Sequence, residues 1–125
     1  MRLITPQPAT SAQLYTAIAM YTAGLESPNK VVRFLVLYCA LALAALFKWH
    51  SGKQQNVDKL LQERNSQLTP LRSPKPGKVE TLYTKLRNDL LHMEERACDP
   101  AAAIAAIEAH IDQFQHDVSL VLSGL

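Results

Sequence analysis

The chain predicts an all-α fold: an up-and-down bundle of about five helices, forming a single domain over residues 1–125. Three observations carry this. The composition is 48% hydrophobic, rich in Ala and Leu, with few aromatics and four Gly, which suits helices better than sheets. Apolar residues recur at gaps of three and four in several stretches, the spacing of one helix face. Two pairs, Ser27-Pro28 and Asp99-Pro100, combine an N-cap side chain with a proline suited to the first helical position.

The elements follow in order. MRLITPQP has two prolines and no periodicity, so an extended start is expected, and no long apolar run follows Arg2 to make a signal peptide. Thr10 or Ser11 is placed to cap a first helix running to about Gly24 or Glu26, with Leu14, Ile18, Tyr21 and Leu25 on one face. Ser27-Pro28 opens a second helix to about His50, with Gly52 as its stop. Its centre, Phe34 to Phe47, holds no charge. Arg33 and Lys48 bound that run, which falls short of the roughly 20 apolar residues a membrane span needs, so it is expected as the buried central helix, with no membrane involved. Gln54 to Ser66 reads as a third, more polar helix with Val57, Leu60, Leu61 and Leu68 inward.

The segment Thr69–Lys78 (TPLRSPKPGK) contains three prolines and a glycine, which excludes a helix and marks a loop carrying Arg72, Lys75 and Lys78. It reads as a solvated linker or as a flexible basic arm able to follow a nucleic-acid backbone. Val79 is expected to start a fourth helix ending near Ala97–Cys98. Its stretch Leu82–Arg96, LYTKLRNDLLHMEER, carries an apolar stripe of Leu82, Leu86, Leu90 and Met93. The last helix, opened by Asp99-Pro100, has the most regular stripe of all: Ile104, Ile107, Ile111, Phe114, Val118 and Val121. Glu108, Asp112 and His116 form an i, i+4 ladder on another of its faces and read as a charged surface, so no metal and no cofactor is expected.

Cys39 and Cys98 follow no metal or redox spacing and read as free thiols in a reducing, cytoplasmic setting. Net charge is only +2, yet residues 1–87 hold twelve Lys/Arg against four Asp/Glu, and residues 88–125 hold one Arg against seven acids. Such a split fits either complementary faces within a bundle or dimer, or a basic surface for a polyanion.

The basic half ends at Arg87-Asn88-x-x-x-His92. Asn88 and His92 are one helical turn apart, whereas Arg87 lies about 140° round the helix from His92. Arginine can fork two phosphate oxygens, and histidine can take or give a proton near neutral pH. This grouping resembles the R-x(4–6)-H motif of the HEPN superfamily, small all-helical domains that include metal-independent endoribonucleases, in which a polar residue usually follows the Arg. The likeness in helix order extends from about Thr10 to Leu122. The run RFLVLYCALALAAL looks like the second helix of the Apea-like branch, although Ala42 stands where those members often carry Glu. Glu94 stands where toxin–antitoxin relatives can carry a modifiable Tyr.

The resemblance implies a HEPN-like homodimer with two facing motifs. It would cleave RNA by 2′-hydroxyl attack to leave a 2′,3′-cyclic phosphate and a 5′-hydroxyl. It also implies a toxin or phage-defence setting with a cognate antitoxin or regulatory protein as a further partner. Arg87, Asn88 and His92 are then the catalytic candidates, with Asn88 orienting His92 or holding a phosphate oxygen. Arg72, Lys75, Lys78 and Lys85 are the RNA-binding candidates. The competing expectation is a helical interaction module without catalysis, or a HEPN domain that binds nucleotide or RNA without cutting it.

Overall fold

The computed structural model describes residues 8–68, 70–75, 77–96 and 98–125 and, of residues 8–11, 93 and 95, the backbone alone. The expected extended start, residues 1–7, lies outside the described residues. Among the described residues, five long helices and one single-turn helix make up the fold: α1 (Pro8–Glu26), α2 (Lys30–Trp49), α3 (Gln54–Arg64), α4 (Leu82–Leu91), α5 (Met93–Arg96) and α6 (Pro100–Ser123). A two-stranded antiparallel ribbon, β1 (Leu71–Arg72) and β2 (Val79–Glu80), sits between α3 and α4, pairing Leu71 with Glu80 and Arg72 with Val79. The fold is therefore all-α, as the composition and periodicity predict.

Helix α2 is central, packed by α1, α3 and α6, and α4 lies against α6. The reason is apolar area: Phe34, Leu37, Tyr38, Leu41, Ala44 and Ala45 of α2 are all buried. At 20 residues, with an 18-residue window of mean hydropathy 2.1, α2 is long and apolar enough to cross a membrane by length and composition, which corrects the expectation that this run falls short. The N-cap is Asn29, whose Oδ1 accepts from Val32 N–H at 3.0 Å, in place of the expected Ser27. The Ser27 carbonyl instead receives the Arg33 guanidinium at 2.8 and 3.1 Å. His50, at φ 59°, takes the left-handed position that closes the helix, two residues before the Gly52 expected as its stop.

The first helix keeps Leu14, Tyr21 and Leu25 half-buried on its expected face but departs from it at Ile18 and at its start. It starts at Pro8, so Thr10 and Ser11 lie inside it rather than capping it. Ile18 is 49% exposed, while Ala17 and Gly24 are buried. A Cβ on Gly24 would stand 3.0 Å from Leu37 Cδ2, so a small residue is what lets α1 approach α2 closely. Helix α3 is two residues shorter than expected and buries Val57, Leu60 and Leu61, with Leu68 packed partly against the core.

Asp99 caps α6 through its side chain to Ala102 N–H at 3.2 Å, with Pro100 leading the helix, as the sequence predicts. The buried stripe is Ala103, Ile107, Ile111, Phe114, Val118 and Val121; Ile104 is 38% exposed, because Ala103 rather than Ile104 meets the core. Phe114 packs on Phe34 and Tyr83 at ring separations of 4.7 and 4.6 Å. Glu108, Asp112 and His116 are exposed on the outer side.

Asp117, on the inner side of α6, is buried and ties three elements together. It accepts from Tyr83 Oη at 2.7 Å, from Asn65 Nδ2 at 3.2 and 3.3 Å, and from Gln113 Nε2 at 3.1 Å. Burial, reinforced by the Asp117 bond and charge, raises the Tyr83 pKa, so the phenol stays a donor. Asp117→Ala strands the Tyr83 hydroxyl in the core and is expected to destabilise the fold by about 2 kcal/mol. Urea unfolding of the variant beside wild type measures this, and a loss below about 0.5 kcal/mol would contradict the network's role.

Candidate functional site

The basic segment is not a plain loop. Pairing of β1 with β2, closed by Ser73 N–H to Lys78 C=O at 3.0 Å and Lys78 N–H to Lys75 C=O at 3.2 Å, folds it back as a hairpin. Gly77 at φ 74° takes the left-handed position in its tip. Val79 and Glu80, expected as the first turn of the motif helix, belong to β2. Helix α4 begins only after Thr81, whose Oγ1 caps Thr84 N–H at 3.3 Å.

The motif helix is also shorter at its other end. Its last residue is Leu91, and His92 lies just beyond at φ −127° and ψ 46°, after which α5 adds one turn. The His92 N–H still bonds Asn88 C=O at 2.8 Å, so the residue remains tied to α4 while its side chain is exposed.

Hairpin, α3, α4 and α5 together wall a cleft of about 470 Å³. Lys53, Lys75, Lys78 and His92 line its exposed rim, while Asp58, Glu80, Thr84 and Asn88 are its buried residues. A cleft of this size falls within the usual range for small-ligand sites. Asn88, His92, Lys75 and Lys78 are therefore brought together. Arg72, Lys85 and Arg87 are not among the cleft's lining residues. Lys85 bonds Asp89 one turn along α4. Arg87 sits with its guanidinium carbon 5.4 Å from the Tyr38 ring centre and donates to Asn88 Oδ1 at 2.9 Å.

Asn88 is the hinge of this arrangement. Its amide pairs reciprocally with Gln54, Nδ2 to Oε1 and Nε2 to Oδ1, each at 2.9 Å. The amide thus bonds Gln54 and Arg87 and does not orient the His92 ring, one of the two roles expected of it beside holding a phosphate oxygen. Through Asn88, Arg87 stands one hydrogen bond behind the cleft wall.

Below the rim, two ionic arrangements differ in character. Glu80, 5% exposed, takes a bidentate bond from Arg96 at 2.7 and 2.9 Å. That bond, with the Glu80 and Asp89 charges, raises the Arg96 pKa against the opposing effect of burial. Asp58, 7% exposed, has no cation on it among the described residues. Its Oδ1 accepts from Thr81 Oγ1 and Thr84 Oγ1, both at 2.6 Å, and Thr84 Oγ1 in turn accepts from Tyr38 Oη at 2.6 Å. Burial pushes the Asp58 carboxyl above its ordinary range, although the Thr81 and Thr84 bonds pull the other way. Burial likewise raises the Tyr38 phenol, which stays protonated and donating.

The sign of the Asp58 effect makes a prediction. A carboxyl whose pKa is raised on folding contributes stability below its unfolded value, near pH 4, and loses it as pH rises through the folded value. Asp58→Asn keeps an oxygen for both threonine hydroxyls but does not titrate. Wild type should therefore compare best with Asp58→Asn at acid pH and lose ground toward neutrality. Urea midpoints at pH 4 and pH 7 check this; a wild type that gains on the variant with rising pH would contradict it.

The sequence reading missed Lys53, Gln54, Asp58, Thr84 and Arg96. One signal was available: Asp58 lies three residues before Leu61 and next to Val57, a charge on the apolar face of α3. Among the described residues no three His, Cys, Asp or Glu side chains gather in a way suited to a metal ion. Comparison with protein-family models, curated proteins and solved structures finds no match for this chain.

Proposed function

We propose that the chain is a metal-independent endoribonuclease of the HEPN kind, acting as a homodimer with this cleft as the RNA cradle. The observation that supports it most is that His92 opens onto the same cleft as Lys75, Lys78 and Lys53. A proton-transfer group sharing a cleft with several cations suits 2′-hydroxyl attack on a phosphodiester. In this scheme His92 takes the 2′-hydroxyl proton and the 2′ oxygen bonds phosphorus. The bond from phosphorus to the 5′ oxygen then breaks. A second histidine, from the other copy, gives the leaving oxygen its proton. Arg87, outside the cleft lining and held against Tyr38 and Asn88, acts in this scheme through Asn88, the cleft residue to which it donates.

The test is incubation with RNA in EDTA followed by end analysis of the fragments. Fragments with 2′,3′-cyclic phosphate and 5′-hydroxyl ends are expected; fragments with 3′-hydroxyl and 5′-phosphate ends would overturn the scheme.

The cleft geometry also sorts the basic residues. Each phosphate neutralised on a single strand contributes about −0.7 to the slope of log K against log salt. Replacing Lys75 and Lys78 together should flatten that slope by up to about 1.4, and replacing Arg72 should change it less. Equal effects from Arg72 and the two lysines would show that the cleft is not where the strand lies.

The rival reading, a self-associating helical module, draws on Tyr15 and Ile18 of α1 and Val32 of α2, which are large apolar side chains left exposed. A chain that dimerises but neither binds nor cuts RNA would favour it.

A further inference from the structure

Asp58 is a buried carboxylate of the cleft that RNA cleavage by His92 does not use. A buried carboxylate without a cation is costly, and burial here does push its carboxyl upward. Glu80, its acidic neighbour in the same cleft, is fully engaged by Arg96. Asp58 is not. Its two side-chain bonds both fall on Oδ1, the Thr81 backbone N–H lies near the carboxylate, and a carboxylate offers about four acceptor sites. Among the described residues no fully buried side-chain oxygen lacks a partner, so Oδ2 opens to the cleft that Asp58 lines. The Tyr38–Thr84–Asp58 chain of hydroxyls holds the group in place, with both threonine hydroxyls donating to Oδ1.

We propose that the cleft recognises a guanine base, with Asp58 accepting hydrogen bonds from the N–H groups of its Watson–Crick edge. An ionised carboxylate only accepts, and guanine alone among the RNA bases sets two N–H donors side by side on that edge. Adenine and cytosine place a ring-nitrogen acceptor next to their amino group, and uracil flanks its single N–H with two carbonyls; both would meet the carboxylate with repulsion. Gln54 gives one amide hydrogen to Asn88 and keeps a second for the guanine carbonyl. With the base on buried Asp58, the phosphates lie toward the exposed Lys53, Lys75 and Lys78, and the ribose lies near the rim that His92 occupies. This deepens the RNA-cleavage reading and rests on it for the polymer, though the base contact itself does not need cleavage.

The experiment measures binding in EDTA of short 2′-O-methyl oligouridylates, which lack the attacking hydroxyl and stay intact, carrying one central guanosine, adenosine, cytidine or no substitution, alongside the four free nucleoside monophosphates. Wild type should hold the guanosine oligomer on the order of tenfold more tightly than the others. Asp58→Asn should remove the preference while leaving the salt-dependent part of binding in place. If that variant does not fold, 1-methylguanosine in the oligomer removes the donor from the ligand side, and its affinity should fall to that of the adenosine oligomer. Guanosine monophosphate bound in an Asp58-dependent way, with no oligomer bound, would support the base contact and overturn the RNA reading. Oligomers bound without preference, or a preference that survives Asp58→Asn or N1-methylation, would overturn the base contact and leave the RNA reading standing. Binding to none of the probes would overturn both.

Discussion

Arg96→Ala is expected to destabilise the chain by about 3–5 kcal/mol, the usual loss when one partner of a buried ion pair is removed. The guanidinium bonds both Glu80 oxygens and lies 3.5 Å from Asp89, and its own side chain is only 12% exposed. Removing it leaves the buried Glu80 carboxylate without its cation. It also unties α5 from β2, so the hairpin and the His92 end of α4 lose their common anchor. Replacing both partners, Arg96→Met with Glu80→Leu, should cost less than Arg96→Ala alone, because no uncompensated charge remains. Urea unfolding of the two variants and wild type measures the difference. A single variant within about 1 kcal/mol of wild type, or a double variant worse than the single, would show that the pair does not hold this corner together.

The parts of the fold that were legible in the sequence are those where large apolar side chains carry the periodicity. Helix α6 reads from Ile107 to Val121 because one face does all the burying, and Asp99-Pro100 marks its start in both chemistry and geometry. Helix α1 was legible as a helix, and its facing was legible at Leu14, Tyr21 and Leu25 but not at Ile18. Its contact with α2 runs through Ala17 and Gly24, whose value lies in being small, while the larger Ile18 points outward. The hairpin escaped notice because strands of two residues are too short to show alternation, and prolines that exclude a helix do not announce a ribbon.

The site shows the same division. Asn88, His92, Lys75 and Lys78 were legible through motif and charge, and the fold places them on one cleft. Nothing at position 92 resembles a helix stop, since neither Gly nor Pro stands there, so the end of α4 before His92 was not foreseen. Arg87 was expected as a catalytic candidate about 140° round the helix from His92; its anchors in the structure are Tyr38 and Asn88. Asp58 and Arg96 acquire their roles only when α3, β2 and α5 meet, a matter of tertiary contact that spacing along the chain does not encode.

Proton transfer at His92 is the core of the functional account, and replacing it should have the largest effect on activity. His92→Ala should lower RNA cleavage at least about a hundredfold, the lower end of what a general acid or base contributes. The fold should hold, because the side chain is exposed and lies outside both α4 and α5. RNA affinity should stay near wild type, since the cleft lysines remain. Arg87→Ala should lower cleavage and affinity together. The most direct measurement follows fragment release from a labelled single-stranded RNA in EDTA, using wild type and His92→Ala purified side by side and matched for RNA binding. The account predicts cleavage by wild type that is lost in the variant at equal binding; intact RNA with wild type, or cleavage by His92→Ala at the wild-type rate, would contradict it.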